Sequence, residues 1–250
     1  MFDFFEYKEM QSQNGYTIHY GERVPQEARK LVIMCHGFGG SMEGRTVSSL
    51  APMLVQRNIG VIAFDWCGHG SSRMSGEYFT VVNCLRDLDT IFLYASEKFP
   101  QCEITLLGTS FGAYVCLLYN SIYLRSVQKL VARCCALDMR SIFETNLGID
   151  LRRLLNYKSI TIESERPLTI TDKFYDELAK YNAIEEFKPQ RTAHLFVHGT
   201  LDCIAPYYIV KEFCEDHCLN LESIEGADHF MSDDTHLLIC NNAITKFICS

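Results

Sequence analysis

Positive charge is the minority sign in this chain: 23 lysines and arginines stand against 31 aspartates and glutamates, a net −8 with neutral histidines. That balance repels phosphate backbones and anionic lipid surfaces, so neither nucleic acid nor a membrane surface is an expected partner. The first ten residues, MFDFFEYKEM, lack the basic region and the long apolar stretch of a signal peptide, and secretion is not expected. Twelve cysteines lack the dense, regular spacing of a disulfide-stapled domain. Cys35, Cys84, Cys116, Cys134, Cys135 and Cys240 sit in apolar runs, where a reduced thiol behaves as a small hydrophobe. Together these features point to the cytoplasm. One uncharged run, 104–124, is long enough to cross a bilayer, but Thr105, Gly108, Thr109, Ser110, Gly112, Asn120 and Ser121 interrupt it. Neither a Walker loop nor a G-x-G-x-x-G turn follows any strand, so no nucleotide cofactor is expected. Internal repeats and low-complexity tracts are absent as well.

What the chain does have is the makeup of one folded domain: 48% hydrophobic and 22% charged residues over 250 positions. Short β-rich runs at 16–20, 31–36, 60–65, 103–108, 127–135, 193–198 and 219–224 alternate with helical stretches at 43–57, 78–98, 110–123, 206–217 and 234–249. That rhythm predicts an α/β fold with a mostly parallel sheet, because each helix is long enough to carry the chain back for the next parallel strand. Runs 2–8 and 15–20 read as an antiparallel hairpin on the sheet edge. Residues 138–190 break the rhythm. They are charge-rich, lack a clear central strand and show helical spacing at Phe174, Leu178, Tyr181, Ile184 and Phe187, so they are expected to form a cap inserted into a core of 1–137 and 191–250.

The strongest chemical signal is Gly108-Thr109-Ser110-Phe111-Gly112, between a buried strand and a helix. A serine on a sharp strand-to-helix turn is pushed out above the sheet, and small residues two before and two after it let the backbone pass close to its neighbours. A serine hydroxyl needs a base to activate it and a carboxylate to orient that base. In chain order these are Asp202, after strand 193–198, and His229, after strand 219–224, both where α/β sheets place their sites. Asp138 is the rival acid. Among the other histidines, His19 and His194 belong to strands, and His217 and His236 to helices. His36, His69 and His198 precede glycines at strand ends, where bonding to loop backbone is the expected role. The backbone N–H groups of Phe38, in the loop His36-Gly37-Phe38-Gly39-Gly40, and of Phe111 would hold an oxyanion. The rings of Phe38 and Phe111 are placed to line an aromatic acyl pocket. Cys214, His217 and Cys218 share a helix face at metal-ligand spacing, but they lack a fourth ligand and no metal is expected.

With Asp65-Trp66-Cys67-Gly68-His69-Gly70-Ser71-Ser72, the motifs HGFGG, DxxGHGxS, GTSFG, HGTxD and GADH stand in an order and spacing that resemble the α/β-hydrolase superfamily. Within it the chain is similar to the small serine esterases that include bacterial cinnamoyl and feruloyl esterases, and more distantly to monoacylglycerol lipases and serine aminopeptidases. The resemblance implies Ser110 as nucleophile, Asp202 as acid, His229 as base, Phe38 and Phe111 as oxyanion donors, and a buttressing role for the DxxGHGxS loop. It implies hydrolysis of a small carboxylic ester without a cofactor, with substrate choice in the cap; Asp138, Tyr157 and Tyr175 are candidates there to bind a phenolic hydroxyl. The chain departs from those esterases at Thr109 and Phe111, where His and Gln are common, and at Cys135-Ala136-Leu137-Asp138, where Pro-Ala is common. Short-chain or aryl esters are therefore expected, with hydroxycinnamoyl esters the least supported of them. Amidase, aminopeptidase, acyltransferase or lipase action on the same triad, a non-catalytic binding protein, and pairing into a homodimer remain open.

Overall fold

The computed structural model describes residues 4–163, 166–188 and 191–250. Its centre is built from runs such as Lys30–Cys35 (β3) and Gly60–Phe64 (β4), whose apolar residues are buried on both faces, as expected for strands covered by helices on each side. With Glu6–Gln11 (β1), Thr17–Arg23 (β2), Glu103–Thr109 (β5), Lys129–Arg133 (β6), Ala193–Gly199 (β9) and Asn220–Ile224 (β10) they form one eight-stranded sheet. Its order is β1-β2-β4-β3-β5-β6-β9-β10. From β4 to β10 every pairing is parallel, while β1 and β2 are antiparallel to each other and β2 to β4. The predicted parallel sheet with an edge hairpin is thus present. The hairpin begins later than the 2–8 run, of which residues 2 and 3 lie outside the described residues. Phe5 leaves the strand to pack over Gly21, where a Cβ would stand 2.8 Å from Phe5 Cβ.

Strand alternation divides the core in two. Leu31, Ile33 and Cys35 face Val81–Lys98 (α2), Phe111–Ile122 (α3) and Tyr207–Asp216 (α8), whereas Val32, Met34, Leu107 and Val131 face Arg45–Val55 (α1) and Asp234–Cys249 (α9). The helix boundaries lie within three residues of the predicted ones. The largest gap is at the start of α2, where Gly76–Tyr78 forms a separate 3-10 turn and the Thr80 side chain caps the helix by accepting from Asn83 N–H. All twelve cysteines are free. No helix among the described residues is long and apolar enough to cross a membrane.

Between β6 and β9 the chain forms Met139–Thr145 (α4), Leu151–Tyr157 (α5), the antiparallel pair Ser159–Ile162 (β7) and Leu168–Thr171 (β8), Asp172–Lys180 (α6) and Ala183–Glu186 (α7). The β7–β8 pair was not expected. Four-residue strands with isoleucine on alternate positions leave too short a pattern to read. Phe174, on the predicted helical spacing, is fully buried against Phe38, Phe79, Phe111 and Phe143 and fastens the segment to the core. Arg166 fastens it a second time by donating to the carbonyls of Gly70 (2.9 Å) and Ser72.

Candidate active site

Ser110 joins β5 to α3 in a backbone conformation that L-residues rarely adopt, with φ at 53°. Its neighbours make that turn possible. A Cβ on Gly108 would lie 2.4 Å from Ala113 backbone, and one on Gly112 would lie 2.2 Å from the Cys35 carbonyl oxygen. Ser110 N–H donates to Arg133 O at 2.9 Å, and Ser110 O accepts from Ala113 and Tyr114 N–H, so strand, turn and helix hold the strained residue from three sides.

His229 Nε2 stands 3.0 Å from Ser110 Oγ, and its Nδ1 stands 2.7 Å from Asp202 Oδ2. Asp202 and His229 lie on loops after β9 and β10 that brace each other. Leu201 N–H donates to Ala227 O at 3.0 Å and Thr200 N–H to Ile224 O at 3.0 Å. A side chain on Gly199 would meet Ala227 O at 2.3 Å. The other Asp202 oxygen accepts from the N–H groups of Ile204 (3.0 Å) and Ala205 (2.8 Å). Burial by itself would raise the Asp202 carboxyl, but hydrogen bonds from His198 and His229 outweigh it and hold the group well below the usual carboxylate range. Asp202 therefore stays ionised and fixes His229 with Nε2 turned to the serine.

His198 has a larger part than the predicted loop contact. Its Nε2 lies 2.8 Å from Ala205 O and 3.0 Å from Asp202 Oδ2, so Nε2–H donates and Asp202 sits between two imidazoles. Asp228 turns away, accepting from Ser232 N–H at 2.8 Å.

The glycine-rich loop after β3 lies against the serine: a Cβ on Gly37 would stand 3.3 Å from Ser110 Cβ. Phe111 opens α3, so its N–H is among those a helix leaves without an intrahelical acceptor. Burial pushes the His36 imidazole down to about 4. The neutral ring accepts from Trp66 N–H (3.2 Å) at Nε2, and Nδ1–H donates to Gly37 O (2.8 Å). The DxxGHGxS loop supports the same turn, since Asp65 accepts from Met42 N–H and Ser71 N–H at 2.7 Å each.

A cavity of about 280 Å³ opens at Ser110 and His229, lined also by Met34, Phe38, Val47, Leu107, Arg133 and Phe230. Phe38 reaches a second, outer cavity of about 520 Å³, which Leu147, Ile162 and Leu168 close from the inserted segment. Neither is lined by Phe111, whose ring is buried against Trp66, Phe79, Tyr114 and Phe174. It belongs to the core, not to an acyl pocket.

Three further predicted residues lie outside both cavities. Asp138 caps α4, accepting from Ser141 N–H at 3.1 Å, and lines neither cavity. Tyr157 is 73% exposed at the end of α5. Tyr175 OH donates to Glu144 at 2.7 Å and accepts from Arg140 at 3.1 Å, within the inserted segment. Sequence reasoning passed over Arg133, because its run VARCC reads as an ordinary buried strand. Cys214, His217 and Cys218 do not converge, and His217 packs on Phe187 and Phe213. Among the described residues, close metal-type donors gather at Cys134, Asp202 and His229, where both Asp202 oxygens and both His229 nitrogens are already engaged.

A family model described as Serine aminopeptidase, S33 matches residues 26–198. Protein phosphatase methylesterase 1 of Candida albicans is 23% identical over 179 residues, 66% of this chain and 49% of the relative, so the chain spans about half that protein's length. Among solved structures, Est1E from Butyrivibrio proteoclasticus with ferulic acid bound superimposes with a TM-score of 0.83 at 20% identity, covering 97% of this chain and 98% of its own. Mouse alpha/beta hydrolase domain-containing protein 10 gives 0.77 at 17%, covering 98% of each chain. These likenesses establish the fold, and the family match establishes descent: the chain is an α/β hydrolase and belongs to the serine aminopeptidase S33 family.

Proposed function

We propose that this α/β hydrolase cleaves small carboxylic esters through an acyl-enzyme on Ser110. The observation that carries the reading is the continuous line from Asp202 through His229 to Ser110, with hydrogen-bond distances of 2.7 and 3.0 Å beside an open cavity. His229 Nε2 takes the Ser110 proton as Oγ attacks the ester carbonyl, and Asp202 stabilises the imidazolium. The N–H groups of Phe38 and Phe111 receive the oxyanion. Collapse breaks the carbonyl–alkoxy bond, His229 returns the proton to the departing alcohol, and water activated by the same base releases the acid.

The inner cavity favours esters over aminopeptidase substrates, since among the described residues no aspartate or glutamate lines it to hold a peptide's amino-terminal cation, and Glu163 lines the outer cavity instead. A methylesterase relative and a ferulate-bound neighbour support ester chemistry without fixing the acyl group. Short acyl chains suit the smaller inner cavity, and the inserted segment acts as a cap over the outer one. Twelve free thiols fit a reducing compartment such as the cytoplasm.

The test is hydrolysis of p-nitrophenyl acetate, butyrate and octanoate by the wild type beside Ser110→Ala. The proposal expects turnover that falls by about 10⁵–10⁶-fold in the variant, toward the solvent rate, with acetate and butyrate ahead of octanoate. Turnover that survives Ser110→Ala contradicts it.

A further inference from the structure

The strand alternation that sends Val131 into the apolar core under α1 and α9 sends Arg133, two residues on, to the same face. Arg133 is only 2% exposed, yet it lines the cavity that holds Ser110 and His229. Of its five donors, Nη2 bonds to Phe230 O at 3.1 Å, the guanidinium also lies against the buried Cys240 thiol, and Nε is buried with no acceptor among the described residues. Among the described residues no carboxylate pairs with it. The other arginine of the cavity differs: Arg45 is held by Asp234 and by Ser232 O at 3.0 Å.

A guanidinium is always charged, and burying one without an anion is costly, so such residues are normally paired. Holding one loop carbonyl uses one donor and neutralises nothing. The remaining lining offers no anion: beyond the two arginines and the histidines it is apolar side chains, hydroxyls, one thiol and glycine backbone. Met34, Val47 and Leu107 give the cavity that serine and arginine share an apolar wall. A ligand that fits this lining has an ester at one end, a short aliphatic stretch and an anion able to meet the fork of Arg133 at the other.

We propose that Arg133 anchors a carboxylate carried by the substrate, which makes the substrate class small esters bearing a free carboxylate a few bonds from the scissile carbonyl. The inference rests on the esterase reading above and narrows it. The carboxylate belongs either to the acyl half, as in half-esters of dicarboxylic acids, or to the alcohol half, as in acylated hydroxy acids.

The experiment compares kcat/KM by pH-stat for two pairs of near-isosteric substrates: monomethyl adipate with methyl heptanoate, and 4-butyryloxybutyrate with pentyl butyrate. The wild type should favour the anionic member of one pair by about tenfold or more, the scale of a charge-assisted bidentate bond, and the pair that responds identifies the half. Arg133→Met should erase that preference, and Arg133→Lys, which keeps charge but not the fork, should restore part of it. Equal losses on anionic and neutral esters would mean that Arg133 only supports the His229 loop, and a wild type that prefers neutral esters in both pairs also overturns the proposal. Those wild-type ratios stand as a test even where Arg133→Met fails to fold. Fluorophosphonate labelling of Ser110 separates the two readings: labelling without anionic preference rejects this inference alone, whereas no labelling and no turnover of any ester rejects the esterase reading beneath it.

Discussion

Residues 138–190, between β6 and β9, and the eight-stranded sheet with its helices are made of different material. The segment carries 18 charged residues among 53 and holds none of the chain's twelve cysteines or eight histidines. Its elements are short, from four to nine residues, whereas the core uses strands of five to seven and helices of ten to eighteen. The core fixes chemistry: Ser110 and Asp202 follow the buried strands β5 and β9, His229 follows the edge strand β10, and their loops are cross-braced by backbone bonds. The segment fixes its own position through Phe174 and Arg166, and of the two cavities by the serine it lines the outer one, with Leu147, Ile162, Leu168 and Glu163. Reactive groups need rigid support, and apolar wall does not.

The sharpest way to break this contrast is to exchange its two candidate acids. Asp202→Asn should lower kcat by about 10³–10⁴-fold, because it removes the carboxylate charge that orients and stabilises His229. Asp138→Asn should stay within about twofold, since an asparagine also caps α4. Steady-state kinetics of the two variants on one aryl ester checks both, and an Asp138 effect larger than the Asp202 effect would move the acid into the segment.

Acid sensitivity should likewise reside in the core. His36 is neutral in the fold, with its pKa lowered by burial from 6.5 to about 4. Between those values the unfolded chain binds the extra proton, so this histidine's contribution is fully present above pH 6.5 and is lost as pH falls toward 4. At pH 5 the loss is about 2 kcal/mol relative to neutral pH. Urea unfolding at pH 7 and pH 5 measures the summed loss, to which His69 and His194, lowered by burial to about 3 and about 4, add. His36→Gln should show a smaller difference between the two pH values, and an unchanged difference would contradict the assignment.

The smallest effects belong to the segment's tyrosines. Tyr157→Ala and Tyr175→Phe should each change kcat/KM for aryl esters by less than about twofold, because both side chains lie away from the cavities. A tenfold loss in either would mean that the segment recognises substrate directly.

The same contrast governs what could be read from the sequence. In the core, chemistry and local pattern coincide. A glycine-flanked serine after a buried strand, an aspartate after β9 and a histidine after β10 announce themselves by position, and the structure brings the three together. The parallel sheet and the helix limits follow from the same alternation of strand and helix, whereas the strand order does not. In the segment, the pattern carries helical spacing around Phe174 but not the β7–β8 pair, and polar residues that look like substrate contacts are caps and surface pairs. Two core features escaped for a different reason. The second imidazole on Asp202 depends on how the loop after β9 folds back on His198. The Phe111 ring follows the helix into the core, although its backbone N–H stays at the serine. Arg133 was legible in principle, since a charged residue on the apolar parity of a central strand calls for a partner.

The account turns on Ser110 being the nucleophile that His229 activates. Intact-protein and peptide mass spectrometry after exposure to a fluorophosphonate tests this directly. The account predicts a single adduct on Ser110 in the wild type, no adduct in Ser110→Ala, and labelling slowed by orders of magnitude in His229→Ala. A folded wild type that stays unlabelled, or an adduct on any other residue, would contradict it.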